Sequence, residues 1–106
     1  MSYIYQVRFR ITSQQMSELS VGASLERTLG YLRSLLPNEL GFITARAMRS
    51  LDRADEAEVV FETVWDGWDD LSAHRRSALA EEKVLLEFEP HVKLSDLTVR
   101  IFDEVA

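Results

Sequence analysis

Between Tyr3 and Thr12 apolar and polar residues alternate: Tyr5, Val7, Phe9 and Ile11 fall on one side of an extended chain, and Gln6, Arg8 and Arg10 on the other. Successive side chains of a strand point to opposite faces, so this is a strand with one buried face. Thr12-Ser13-Gln14-Gln15 then offers turn and helix-cap chemistry. Val21, Leu25, Leu29, Leu32 and Leu36 follow at spacings of four, four, three and four, the period of an amphipathic helix. Gly22 and Gly30 lie inside that pattern at about 1 kcal/mol each relative to alanine, which predicts a frayed or late helix start. Pro37-Asn38-Glu39-Leu40-Gly41 ends the helix and turns the chain.

Two strands are predicted next, Phe42 to Leu51 and Glu58 to Trp65, joined by the polar segment Asp52-Arg53-Ala54-Asp55-Glu56 and paired antiparallel. The second of them carries Val59, Val60, Phe61, Val64 and Trp65 and is apolar on both faces, as in an interior strand or one covered by a partner. Asp66-Gly67-Trp68-Asp69-Asp70 reads as a turn into a helix whose first turn is acidic, the sign the helix dipole favours. That helix runs through Leu71, His74, Arg75, Ala78 and Leu79, and a further helical stretch spans Glu82 to Phe88 ahead of Pro90. The last strand covers Asp96 to Phe102, with Leu97, Val99 and Ile101 on one face.

The order strand, helix, strand, strand, helix, strand predicts an α+β fold of the ferredoxin-like kind: a four-stranded antiparallel sheet with its helices on one face. At 106 residues the chain has room for one core, so residues 1–106 are read as a single domain. The helices cover only one sheet face. The opposite face displays Gln6, Arg8 and Arg10 among apolar neighbours, a surface suited to a second sheet, and a homodimer is expected. Hydrophobic residues at 46% and charged residues at 28% are ordinary for a folded globular chain. A net charge of −6 without a basic stripe argues against a nucleic-acid partner. No apolar run approaches the roughly 20 residues that span a bilayer, and no export segment is legible. A soluble, cytoplasmic protein is therefore expected, with neither membrane nor nucleic acid among its partners.

The stretch Leu36-Pro37-Asn38-Glu39-Leu40-Gly41-Phe42, the two strands after it, and the run from Val64-Trp65-Asp66-Gly67-Trp68 through His74-Arg75-Arg76-Ser77 resemble the antibiotic biosynthesis monooxygenase family of dimeric α/β barrels. Two features carry the likeness. One is a Pro-containing helix end leading into Gly-Phe; the other is a Trp closing the third strand, followed by a helix with a His and, three residues on, a Ser. The resemblance implies a homodimer of facing sheets, with a ligand pocket between sheet and helices in each subunit. It also implies a cofactor-independent oxygenase acting on aromatic, quinol-like or otherwise apolar small molecules. The haem-degrading relatives are the poorest match. Their pattern has a Trp where His74 stands, a ligand His where this chain has Val84, and an Asn near Gln6, so no haem or other cofactor is expected.

Within that resemblance His74 is the candidate catalytic base, because an imidazole titrates near neutrality and can take a proton from a phenolic or enolic substrate. A helix residue hydrogen-bonded at a subunit contact is the alternative. Trp65 and Trp68 are candidate stacking surfaces for an aromatic ligand, or core and interface packing. Gln6 and Arg8, with Arg10 beside them, are candidates for holding a developing negative charge, or for cross-strand pairs with Glu58 and Glu62. Without cysteine there is no thiolate ligand or nucleophile, and the acidic residues lack the spacing of a calcium loop, so no metal site is expected. The sequence thus supports a cofactor-independent monooxygenase, with a non-catalytic dimeric ligand-binding or accessory protein on the same scaffold as the alternative.

Overall fold

Alternating burial along the first strand sets the architecture: Tyr5, Val7, Phe9 and Ile11 are buried while Gln6, Arg8 and Arg10 face away. The computed structural model describes residues 2–77 and 79–106. Its elements are β1 (Tyr3–Thr12), α1 (Ser13–Met16), α2 (Leu19–Leu35), a 3-10 turn (Leu36–Asn38), β2 (Phe42–Arg49), β3 (Glu56–Trp65), α3 (Trp68–Ser77), α4 (Leu79–Phe88), a second 3-10 turn (Leu94–Asp96) and β4 (Thr98–Asp103). The four strands form one antiparallel sheet in the order β2-β3-β1-β4. This is the ferredoxin-like α+β fold that the residue pattern predicts, with β3 and β1 interior.

Several boundaries move, each for a local reason. The helical region starts earlier than Val21 because Thr12 builds a capping box. Its hydroxyl accepts the Gln15 N–H at 3.1 Å, while the Gln15 side chain accepts the Thr12 N–H at 2.9 Å. Leu36 leaves the helix for the 3-10 turn that Pro37 favours, yet stays buried. The second strand ends at Arg49 rather than Leu51, and the third begins at Glu56 rather than Glu58. Ser50 closes the hairpin between them, donating its N–H to the Glu58 carbonyl (2.9 Å) and accepting the Glu58 N–H on its hydroxyl (2.8 Å). The fourth helix begins at Leu79 rather than Glu82. Ala78, which the sequence pattern places on the α3 helix, lies outside the described residues.

Helices cover one sheet face. Val21 and Leu32 of α2, Leu36, Leu71 of α3, and Val84 and Phe88 of α4 pack on Val7, Phe9, Val59 and Phe61 in one apolar cluster. The buried face of α2 also includes Ser24 and Thr28, so it is rotated from the leucine stripe, and Leu25 and Leu29 are only partly covered. The small polar residues let α4 approach: the Ser24 hydroxyl donates to the Glu87 carbonyl at 3.3 Å, and Arg27 donates to the Glu87 carboxylate at 3.0 Å.

The other sheet face is ordered in rows across the strands. Thr44, Val64, Ile4 and Phe102 form one; Arg46, Glu62, Gln6 and Arg100 the next; Met48, Val60, Arg8 and Thr98 the third. An apolar row therefore borders a row of alternating polarity.

Candidate functional site

The C-terminal end of β3 gathers the aromatic residues. Trp65 stands opposite Tyr3 of β1 and Phe42 of β2, and Gly67 and Trp68 then lead the chain into α3. Leu71 and His74, three apart, are the buried residues of α3, so the spacing itself turns His74 inward. Its ring stacks on Trp65 with centroids 4.6 Å apart and planes at 28°, and it meets Tyr5 edge-on at 5.3 Å. Phe42 lies edge-on to Trp65 at 5.6 Å. Trp68, half exposed, lies edge-on to Tyr3 at 5.8 Å and forms the outer rim. Aromatic pairs in these arrangements are worth about 0.5–1.5 kcal/mol beyond the area they bury.

A carboxylate reaches this cluster from the segment that precedes β2. Glu39 Oε2 is 3.7 Å from His74 Nδ1. The backbone conformation at Gly41 brings the segment there. Its φ is +80°, a region side-chain-bearing residues rarely adopt, and its carbonyl accepts the Asp66 N–H at 2.8 Å. A side chain at position 41 would also collide with the Asp70 carboxylate. Partial burial pushes the Glu39 carboxyl above the usual glutamate value, because removal from water disfavours its charged form. The Ser77 hydroxyl donates to the His74 carbonyl at 2.6 Å, one turn along α3. The Trp65 indole N–H donates to the Thr63 hydroxyl at 2.9 Å, and the ring is fully buried with His74 against its face.

His74, Trp65 and Trp68 thus share one end of the helix-covered face. Gln6 and Arg8 do not join them: strand alternation puts both on the opposite side of the sheet. There Gln6 donates to the Glu62 carboxylate at 2.8 Å, Arg46 donates to the same carboxylate, and Arg8 pairs with Glu58. Arg10 reaches Glu56 at 3.4 Å rather than its direct neighbour Glu58. Glu62 is almost fully buried beneath Gln6 and Arg46, a buried carboxylate whose two oxygens are both hydrogen-bonded. The sequence does not mark Tyr5 or Glu39 as site residues. Tyr5 could be found only as the next inward position of the Val7-Phe9 stripe, whereas Glu39 depends on the turn at Gly41, which has no periodic signal.

Among the described residues no group of three or more His, Asp or Glu side chains is placed to hold a metal ion, and no helix is long and apolar enough to cross a membrane.

No protein-family model matches the chain, and no curated protein is significantly similar to it. Solved structures are. A Bacillus cereus protein provisionally named an antibiotic biosynthesis monooxygenase superposes with a TM-score of 0.70 at 16% identity, covering 100% of this chain and 93% of that one. Rv0793 from Mycobacterium tuberculosis gives 0.59 at 18% identity and covers 100% of both chains. A variant of SnoaB, a cofactor-independent oxygenase from Streptomyces nogalater, gives 0.57 at 16% identity, covering 99% of this chain and 94% of that one. At these identities the likeness is one of architecture, and it bears out the resemblance read from the sequence: this chain has the ferredoxin-like fold of the antibiotic biosynthesis monooxygenase structures.

Proposed function

We propose that the chain is a cofactor-independent monooxygenase acting on an aromatic or apolar small molecule at the His74–Trp65 cluster. One observation carries this reading: a buried imidazole lies face to face with an indole, with a carboxylate 3.7 Å from its Nδ1. An aromatic ring meets the half-exposed Trp68 first, and by parting α3 from the sheet reaches Trp65 as a stacking face and His74 as a base, both closed to solvent in this structure. His74 removes a proton from an acidic C–H or phenolic O–H, and apolar surroundings keep the resulting anion from being quenched by water. That anion is itself the reductant of dioxygen. A CH2 becomes C=O, one oxygen atom enters the product, and the other leaves as water with the two hydrogens. SnoaB, a cofactor-independent oxygenase of the same fold, supports the reaction class. Gln6 and Arg8 are assigned to the opposite face, where the rows of apolar and charged residues suit a second copy of the chain.

Oxygen uptake with a hydroxyanthrone, an aromatic with an acidic CH2, tests the reading. The wild-type protein, freed of metals, is expected to accelerate uptake above the spontaneous rate, and His74→Ala to lose at least about a hundredfold of that acceleration, the lower end of the range for general bases. Acceleration that persists undiminished in His74→Ala removes the base. The second reading, a non-catalytic ligand-binding or accessory protein, is favoured by how closed the cluster is, with His74 only 1% exposed. It predicts saturable binding of the same compound without acceleration of uptake.

A further inference from the structure

The sheet face away from His74 carries a polar groove of about 430 Å³ where β1 and β4 meet the 3-10 turn at residues 94–96. Three arginines line it, Arg8, Arg10 and Arg100, in a chain whose net charge is −6. The register brings two of them together: Gln6 pairs with Arg100 and Arg8 with Thr98, so Arg8 and Arg100 are diagonal neighbours on one face. Arg8 is compensated by Glu58, whereas Arg100 brings a second cation to the same face. Glu58 is thus engaged, and Asp96 forms no ion pair among the described residues. Arg100 has no ion pair either, its guanidinium lying over the Phe102 ring at 5.3 Å. Arg8 keeps a buried Nε–H without an acceptor, and Arg10 holds Glu56 only at 3.4 Å, with its side chain 66% exposed. Ser95 and Thr98 add hydroxyl donors.

We propose that this groove binds a small oxyanion, a carboxylate or phosphate group, held between the Arg8 and Arg100 guanidinium groups with Thr98 and Ser95 as neutral donors. Guanidinium matches the planar carboxylate and the phosphate face through paired N–H donors, so arginines lining one groove favour an oxyanion over chloride. The site is independent of the oxygenase reading, since it shares no residue with the His74 cluster and lies on the other side of the sheet. It lies on the face that a second copy would cover, so a carboxylate from that copy is the rival source of the same chemistry.

Calorimetric titration with malonate and with inorganic phosphate, at constant ionic strength set with sodium chloride and at several protein concentrations, tests this. Saturable binding of at least one anion is expected, weakened at least tenfold in Arg100→Gln, whose exposed side chain is not needed for folding, and also in Arg8→Gln. Three results would overturn the proposal: no saturation beyond that of chloride, equal affinity in Arg100→Gln, or affinity that falls as protein concentration rises. The last would mean that the carboxylates of a second copy fill the groove.

Discussion

Gly41 and Gly30 show how one substitution takes opposite signs at two positions. At Gly41 the backbone φ of +80° and the Asp70 carboxylate both oppose a methyl group, and the turn that delivers Glu39 to His74 depends on that conformation. Gly41→Ala is expected to destabilise the fold by about 1–3 kcal/mol, the range for strained left-handed backbone. Gly30 lies exposed inside α2, and a Cβ there meets nothing within 4 Å. Gly30→Ala should therefore stabilise by about 0.5–1 kcal/mol, through helix propensity alone. Urea denaturation of the two variants beside the wild type checks both signs, and a Gly41→Ala protein as stable as the parent would remove the reason given for this turn. The sequence marks both residues as glycine and only the fold tells them apart: the helical period absorbs Gly30, whereas the collision at Gly41 involves Asp70, far along the chain.

Among the elements, α2 and α4 are joined by a charge pair whose behaviour with pH follows from its shifts. Arg27, bonded to Glu87, holds that carboxyl below the ordinary glutamate value. A carboxylate whose folded pKa is depressed stabilises the fold above its unfolded pKa and loses that contribution as pH falls through the folded value. Glu39 has the opposite sign. Its pKa is raised by burial, so its contribution is present below the unfolded pKa and is lost as pH rises through the folded value. Thermal midpoints between pH 3 and about 7 should show this. The advantage of wild type over Glu87→Gln should shrink on acidification, while Glu39→Gln should gain on wild type as pH rises. Parallel profiles for all three proteins would contradict the assignment. The elements themselves are largely legible in the sequence, because alternation in β1 and β4 and the Leu71–His74 spacing are local patterns. The rotation of α2 toward Ser24 and Thr28 is not, since it reflects how closely α4 can approach. The early helix start is local but rests on a side-chain exchange between Thr12 and Gln15 rather than on hydrophobic period.

At the scale of the whole molecule the sheet has two faces of different composition, to which the proposed function gives different roles. The helix-covered face gathers His74, Trp65 and Trp68, and Gln6 and Arg8 are separated from them by the sheet. Strand alternation makes that separation readable once the register is known, because Tyr5 and Gln6 cannot share a face. The row of Ile4, Val64 and Phe102 gives the outer face an apolar strip beside its ion pairs, and we assign it to a second copy of the chain. Phe102→Asp is expected to leave the fold intact, since that side chain is partly exposed, and to shift the protein from dimer to monomer. Sedimentation velocity across micromolar concentrations reads the change, and a wild type that stays monomeric throughout would contradict the assignment of this face.

On the proposed function a small aromatic molecule meets the chain at the His74–Trp65 cluster and not on the outer face. Nuclear magnetic resonance of the uniformly ¹⁵N-labelled protein, titrated with a hydroxyanthrone under anaerobic conditions, tests it most directly. Saturable shifts of the Trp65 indole and His74 imidazole resonances are expected, with the Arg8 and Arg100 guanidinium signals unmoved. Shifts confined to those arginines, or none at Trp65 and His74, would contradict it.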